Sequence, residues 1–153
     1  MTDANAPLVE AKTLGRNFPT RHGLLGRAQD VWAVRDVSLT VAKGETVGIV
    51  GESGCGKSTL GRMMMGLDSP TKGSMSFDGR DLSTLSSAEM RKLSRRMQMV
   101  FQDPFGSLDP RRTIGWSIAE PLRALGEPPG RRIDEVLQQV GLQTTDAAKY
   151  PHE

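Results

Sequence analysis

The stretch Gly51-Glu52-Ser53-Gly54-Cys55-Gly56-Lys57-Ser58 fits the pattern GxxxxGK[ST], and it constrains the chain because such a loop works only in one setting. Ahead of it, Glu45-Thr46-Val47-Gly48-Ile49-Val50 is short, apolar and β-branched, which predicts a buried parallel strand. Behind it, Leu60, Met63, Met64 and Leu67 recur at helical spacing, with no proline between Ser58 and Gly66. That predicts a short helix with one apolar face. Strand, glycine loop, helix is the arrangement in which this pattern cradles phosphate.

Each residue type in the loop has a mechanical reason. Gly51, Gly54 and Gly56 allow left-handed backbone and close approach, so successive N–H groups can converge on phosphate oxygens around Glu52, Ser53 and Cys55. The helix start adds unpaired N–H groups and the positive end of its dipole. Lys57 reaches the β- and γ-phosphates of a nucleoside triphosphate, the Ser58 hydroxyl is placed for its Mg²⁺, and Thr59 for the α-phosphate. Cys55 is the single cysteine, so the chain cannot close an internal disulfide, which fits a reducing compartment. Its thiol reads either as a reactive group beside Lys57 or as a small residue that fits the loop, whose chemistry needs no thiol.

Length and charge set the remaining bounds. With 153 residues the chain is of one-domain size, 37% hydrophobic and 25% charged. Twenty Lys and Arg against eighteen Asp and Glu give a net charge of +2, which argues for no nucleic-acid partner. Residues 1–7 are not a signal peptide and no run reaches membrane-spanning length, so the expected setting is cytoplasmic.

Along the chain, residues 8–14 and 33–41 read as strands, the second with Val37, Leu39 and Val41 alternating before a Lys43-Gly44 turn. Residues 18–27 between them read as a loop. Phe18 and Trp32 are candidates for stacking on a purine, or equally packing residues. Residues 68–73 form a turn cluster, and 74–77 a strand closed by Asp78-Gly79. Ser86-Ser87-Ala88-Glu89 is a capping box opening a helix toward Met97. That helix carries Arg91, Lys92, Arg95 and Arg96, read as a solvated face because no aromatic residues interleave. Residues 97–101 read as an apolar strand, after which Gln102 either reaches a bound metal or water or, as a single residue favours, satisfies its own loop.

Val50-Gly51-Glu52-Ser53-Gly54-Cys55-Gly56-Lys57-Ser58-Thr59-Leu60, followed by Gln98-Met99-Val100-Phe101-Gln102-Asp103-Pro104-Phe105-Gly106-Ser107-Leu108-Asp109-Pro110-Arg111, resembles the nucleotide-binding subunit of ABC transporters, in particular the oligopeptide, dipeptide and nickel importer branch. The resemblance covers essentially the whole chain. It implies an α/β P-loop NTPase fold of the ABC type: an antiparallel β subdomain, a parallel-sheet core with the loop helix, and the start of a helical subdomain. It further implies ATP and Mg²⁺ as ligands, Gln102 as the residue of the family's Q-loop that joins Ser58 on Mg²⁺, and Phe18 as the adenine-stacking aromatic. Expected partners are membrane subunits and a second nucleotide-binding subunit, at the inner face of the cell membrane.

The division the resemblance implies is residues 1–110 as the N-terminal part of the nucleotide-binding core and 111–153 as the start of the helical subdomain. Within the latter, Thr113 to Leu125 reads as a helix broken by Pro121, and Ile133, Val136, Leu137 and Val140 as a second before Gly141. No LSGGQ signature, Walker B aspartate, catalytic glutamate or switch histidine is found, and His22 and His152 stand outside any motif. The expectation is therefore an N-terminal portion, prone to aggregate, that supplies half of an ATP site for import of peptides or similar solutes. The other reading is a nucleotide-binding or interaction fragment without turnover.

Overall fold

A computed structural model describes residues 6–21, 28–103 and 106–153. They fall into two compact units, Met1–Gln98 and Met99–Glu153, taken separately below.

The first unit is built on a long hairpin of β1 (Val9–Arg21) and β2 (Ala28–Val41). Strands β3 (Lys72–Phe77) and β4 (Arg80–Asp81) complete a four-stranded antiparallel sheet in the order β2-β1-β3-β4. Phe18 thus lies inside β1, paired with Val31, and not in a loop. The reason is register: β-branched Val31, Val34 and Val37 extend the second strand backward, and the first extends to match. Residues 22–27 of the expected loop lie outside the described residues.

The hairpin is not regular. Thr13 (φ 47) and Asp36 (φ 53) sit at successive register shifts, one extra residue on each strand in turn, which twists the ribbon while keeping Leu14 opposite Val37. Leu14, Ala11 and Val34 then face α1 (Lys57–Met64) and meet its Leu60 and Met63, with Met75 of β3 closing the core. The helix ends at Met64, so Leu67 falls beyond its apolar face and is exposed. At the far end of the sheet, Asp78 (φ 52) and Gly79 (φ 74) form the two-residue turn that a tight hairpin requires. Helix α2 (Ser87–Leu93) opens with both arms of its capping box, Ser86 accepting from Glu89 N–H and Glu89 accepting from Ser86 N–H. Arg91, Lys92, Arg95 and Arg96 are exposed, and Arg96 pairs with Asp78 at 2.6 Å.

The two apolar segments expected as strands differ from that expectation. Residues 45–50 and 97–101 have strand-like sequences, but neither pairs with another strand. Val50 and Val100 are each 95% exposed. A strand is completed by its neighbour's hydrogen bonds, and among the described residues the sheet gives these two segments no neighbour.

In the second unit, α3 (Ile114–Ala124) and α4 (Arg132–Gln139) pack with a 3-10 segment at Thr144–Ala148. Thr113 caps α3 by accepting from Trp116 N–H, and Gly115 lies so close to Ala147 that a Cβ would crowd its carbonyl. Pro121 does not break α3. Its fixed φ is helical, its ring is on the exposed side, and the helix loses only one N–H. Gly141 (φ 79) ends α4 in the left-handed conformation.

Two outcomes follow for the first unit. Leu14 is fully buried, so Leu14→Ala is expected to cost about 3 kcal/mol in urea unfolding, and Val50→Ser close to nothing. At the end of α1, Arg62 Nε donates to Asp68 at 2.8 Å and holds its carboxyl below the ordinary 3.8. A lowered carboxylate pKa stabilises the fold above its unfolded value and ceases to as the pH falls through the folded one. A carboxyl NMR titration should therefore show a low Asp68 midpoint that rises in Arg62→Gln.

Candidate functional site

The glycine loop occupies residues 51–56, directly before α1, and its geometry follows from its glycines. Gly54 (φ 81) and Gly56 (φ 97) are left-handed, and Gly56 is the N-cap of α1 with no side-chain cap. Any Cβ at Gly56 would collide with the carbonyl oxygen of Ala33 on β2, so this glycine is where the loop touches the sheet. A Cβ at Gly51 would crowd Cys55 Sγ at 2.7 Å. Gly54 has open space around it and needs to be glycine for its φ alone.

Lys57, the first residue of α1, turns back over the loop. Its Nζ donates to the carbonyls of Gly51 at 2.8 Å and Glu52 at 2.6 Å, and lies 3.6 Å from Cys55 Sγ. The ammonium thus sits in the middle of the loop. A helix leaves the N–H groups of its first turn without intrahelical acceptors, and here they belong to Lys57, Ser58 and Thr59. Backbone donors, a cation and a helix dipole converge on one spot, an arrangement whose chemistry suits an anion. Beside it opens a cleft of about 570 Å³ lined by Ala33, Val34, Val47, Ile49, Gly56 and Lys57 among others.

Ser58 is exposed at the second position of α1. Among the described residues no group of three or more His, Cys, Asp or Glu is arranged to hold a metal. A hydroxyl next to a phosphate site nevertheless fits Mg²⁺, which takes few protein oxygens and completes its shell with phosphate and water. Gln102 belongs to the second unit, whereas Ser58 and the loop belong to the first.

Phe18 is 42% exposed. The shift at Ala33 keeps Arg16, Val34, Phe18 and Val31 on one face of the hairpin, the face against which α1 packs. Val31, its partner, is two residues along β2 from the Ala33 carbonyl that abuts Gly56, so the topology brings ring and loop to one side of the sheet. Trp32 lies on the opposite face under Lys72 and Arg35, 5.4 and 5.7 Å from its ring centroid, as a packing residue. Sequence reasoning missed Arg16, whose guanidinium lies 5.0 Å from the Phe18 ring centroid. The signal, that residues two apart on a strand share a face, was hidden by reading the strand as ending at residue 14.

A family model described as ABC transporter matches residues 34–152. The chain belongs to the ABC transporter family. It is 47% identical over 160 residues to the oligopeptide transport ATP-binding protein AppF of Bacillus subtilis (strain 168), covering 100% of this chain and 49% of that protein. It is 45% identical over 152 residues to the glutathione import ATP-binding protein GsiA of Escherichia coli (strain K12), covering 96% of this chain and 24% of that one. The chain thus spans half or less of the length of these relatives. Two solved dimeric structures of an ATP-binding cassette share its fold at TM-scores of 0.73 and 0.74, each 27% identical and covering 94% of this chain and 62% of theirs. The first of them is a post-hydrolysis state bound to ADP and Pi. The fold is that of an ABC cassette, and among the described residues no helix is long and apolar enough to cross a membrane.

The two left-handed glycines of the loop separate in a simple comparison. Gly56→Ala should displace the start of α1 from β2, lowering stability by about 2 kcal/mol or more and abolishing phosphate binding. Gly54→Ala, with open space, should cost about 1 kcal/mol. Urea unfolding and a phosphate-binding titration on the two variants check this.

Proposed function

We propose that this chain supplies the phosphate- and base-binding part of the ATP-binding subunit of an importer for peptides or similar solutes. The observation that carries the reading is Lys57 at the centre of a glycine loop opening on the first turn of α1. On this reading the ATP phosphates lie against Gly51, Glu52, Ser53, Gly54, Cys55, Gly56, Lys57, Ser58 and Thr59. Lys57 exchanges its bonds to the Gly51 and Glu52 carbonyls for the β- and γ-phosphates. Adenine stacks on the exposed ring of Phe18.

Mg²⁺ would be held by Ser58 and Gln102, and when bound it neutralises phosphate charge. Hydrolysis would need a carboxylate to orient water and, on this reading, a second nucleotide-binding subunit to close the site. Membrane subunits, met at the inner face of the cell membrane, would receive the movement through the segment after Gln102. The sequence similarity to import ATP-binding proteins such as AppF and GsiA supports the solute class.

Titration of a fluorescent ATP analogue with Mg²⁺ tests the reading on the 153-residue chain. Saturable binding is expected, weakened about 100-fold in Lys57→Ala by loss of a charge-assisted contact. Equal binding by both chains would refute the loop as the site.

A further inference from the structure

We infer that Arg16 is a positioning residue that holds the Phe18 ring ready for a purine base, an inference resting on the reading of Phe18 as the base platform. The two residues are two apart on β1 and share a face, and the Arg16 Cζ lies 5.0 Å from the ring centroid. The guanidinium is also held by the backbone, because its Nη1 donates to the Ser69 carbonyl at 2.6 Å.

The turn that offers this carbonyl also grips the strand on either side of Arg16. Thr71 N–H donates to the Gly15 carbonyl at 2.7 Å. Asn17 N–H donates to Thr71 Oγ1 at 3.2 Å, and Thr71 Oγ1 to Asn17 Oδ1 at 3.0 Å. The same turn is tied to α1 through the Arg62–Asp68 pair. A continuous set of contacts therefore runs from the helix that begins at the phosphate loop, through residues 68–71 and Arg16, to the ring of Phe18.

Arg16 Nε supports this assignment by its cost. It is buried and has no hydrogen-bond partner among the described residues. Unpaired buried donors are rare, and this one belongs to a side chain that also meets the Ser69 carbonyl, the Phe18 ring and the charge of Asp68. The planar guanidinium meets both ring and carbonyl at once, lying 5.0 Å from the ring centroid while an N–H at its edge serves the carbonyl. Phe18 keeps 42% exposure despite that contact, which leaves ring surface for a second planar group.

The test compares dissociation constants for ATP and for inorganic tripolyphosphate, both with Mg²⁺, on the 153-residue chain and its Arg16→Gln, Phe18→Ala and double variants. Tripolyphosphate has no base and reports the phosphate loop alone. Arg16→Gln is expected to weaken ATP about tenfold and leave tripolyphosphate unchanged, lowering the preference for ATP as Phe18→Ala does. The double variant should be no weaker than Phe18→Ala, because Arg16 acts through the ring. Equal weakening of both ligands in Arg16→Gln would make the residue merely structural and overturn the inference. An unchanged preference in Arg16→Gln beside a lowered one in Phe18→Ala would overturn it with the platform intact. An unchanged preference in Phe18→Ala would remove the platform and, with it, the role of Arg16.

Discussion

The contact on which the site depends is that of Gly56 with the carbonyl of Ala33. It sets how closely α1 approaches the sheet, and α1 in turn brings Leu60 and Met63 onto Leu14 and Val34. The same residue has φ 97, a conformation that ends the loop and begins the helix in one step. Steric room and backbone hand are thus demanded at one position, and glycine alone meets both. Loop geometry and core packing are consequently not separable here: a helix moved outward by a side chain at residue 56 would lose apolar contact and displace its first-turn N–H groups together.

The readable parts of this chain were those set by local chemistry. The glycine loop, the Ser86–Glu89 capping box, the Asp78-Gly79 turn and the Gly141 helix end each depend on residues within a few positions of one another. Strands at 45–50 and 97–101 were misread because an apolar β-branched run states that a segment can pair and says nothing of whether a neighbour stands beside it. The hairpin was read too short for a related reason. Its length is set by β1 and β2 satisfying each other as far as Arg21 and Ala28, a cross-strand property that neither segment displays alone. Arg16 was overlooked because its anchor, Ser69, is 53 residues away.

Exposure of Val50 in a unit whose core is as small as Ala11, Leu14, Val34, Leu60, Met63 and Met75 has an energetic meaning. Each fully buried aliphatic side chain contributes about 1.5–3 kcal/mol, and that gain must meet the entropy of ordering the backbone. Apolar side chains left in water contribute nothing to that balance and are sites for association with other apolar strands. Placement of the loop between an unpaired segment and α1 means that its N-terminal half is anchored by little, whereas its C-terminal half is anchored by Gly56 and the helix.

That asymmetry gives Lys57 a second role. Its ammonium donates to the carbonyls of Gly51 and Glu52, at the weakly anchored end, from a backbone position fixed at the well-anchored end. Those two bonds tie the ends of the loop together and place the ammonium beside the first-turn N–H groups. A triphosphate entering the loop must compete for that ammonium, and in doing so releases Gly51 and Glu52. Under the proposed reading, capture of phosphate and release of the Gly51 and Glu52 carbonyls would be the same event.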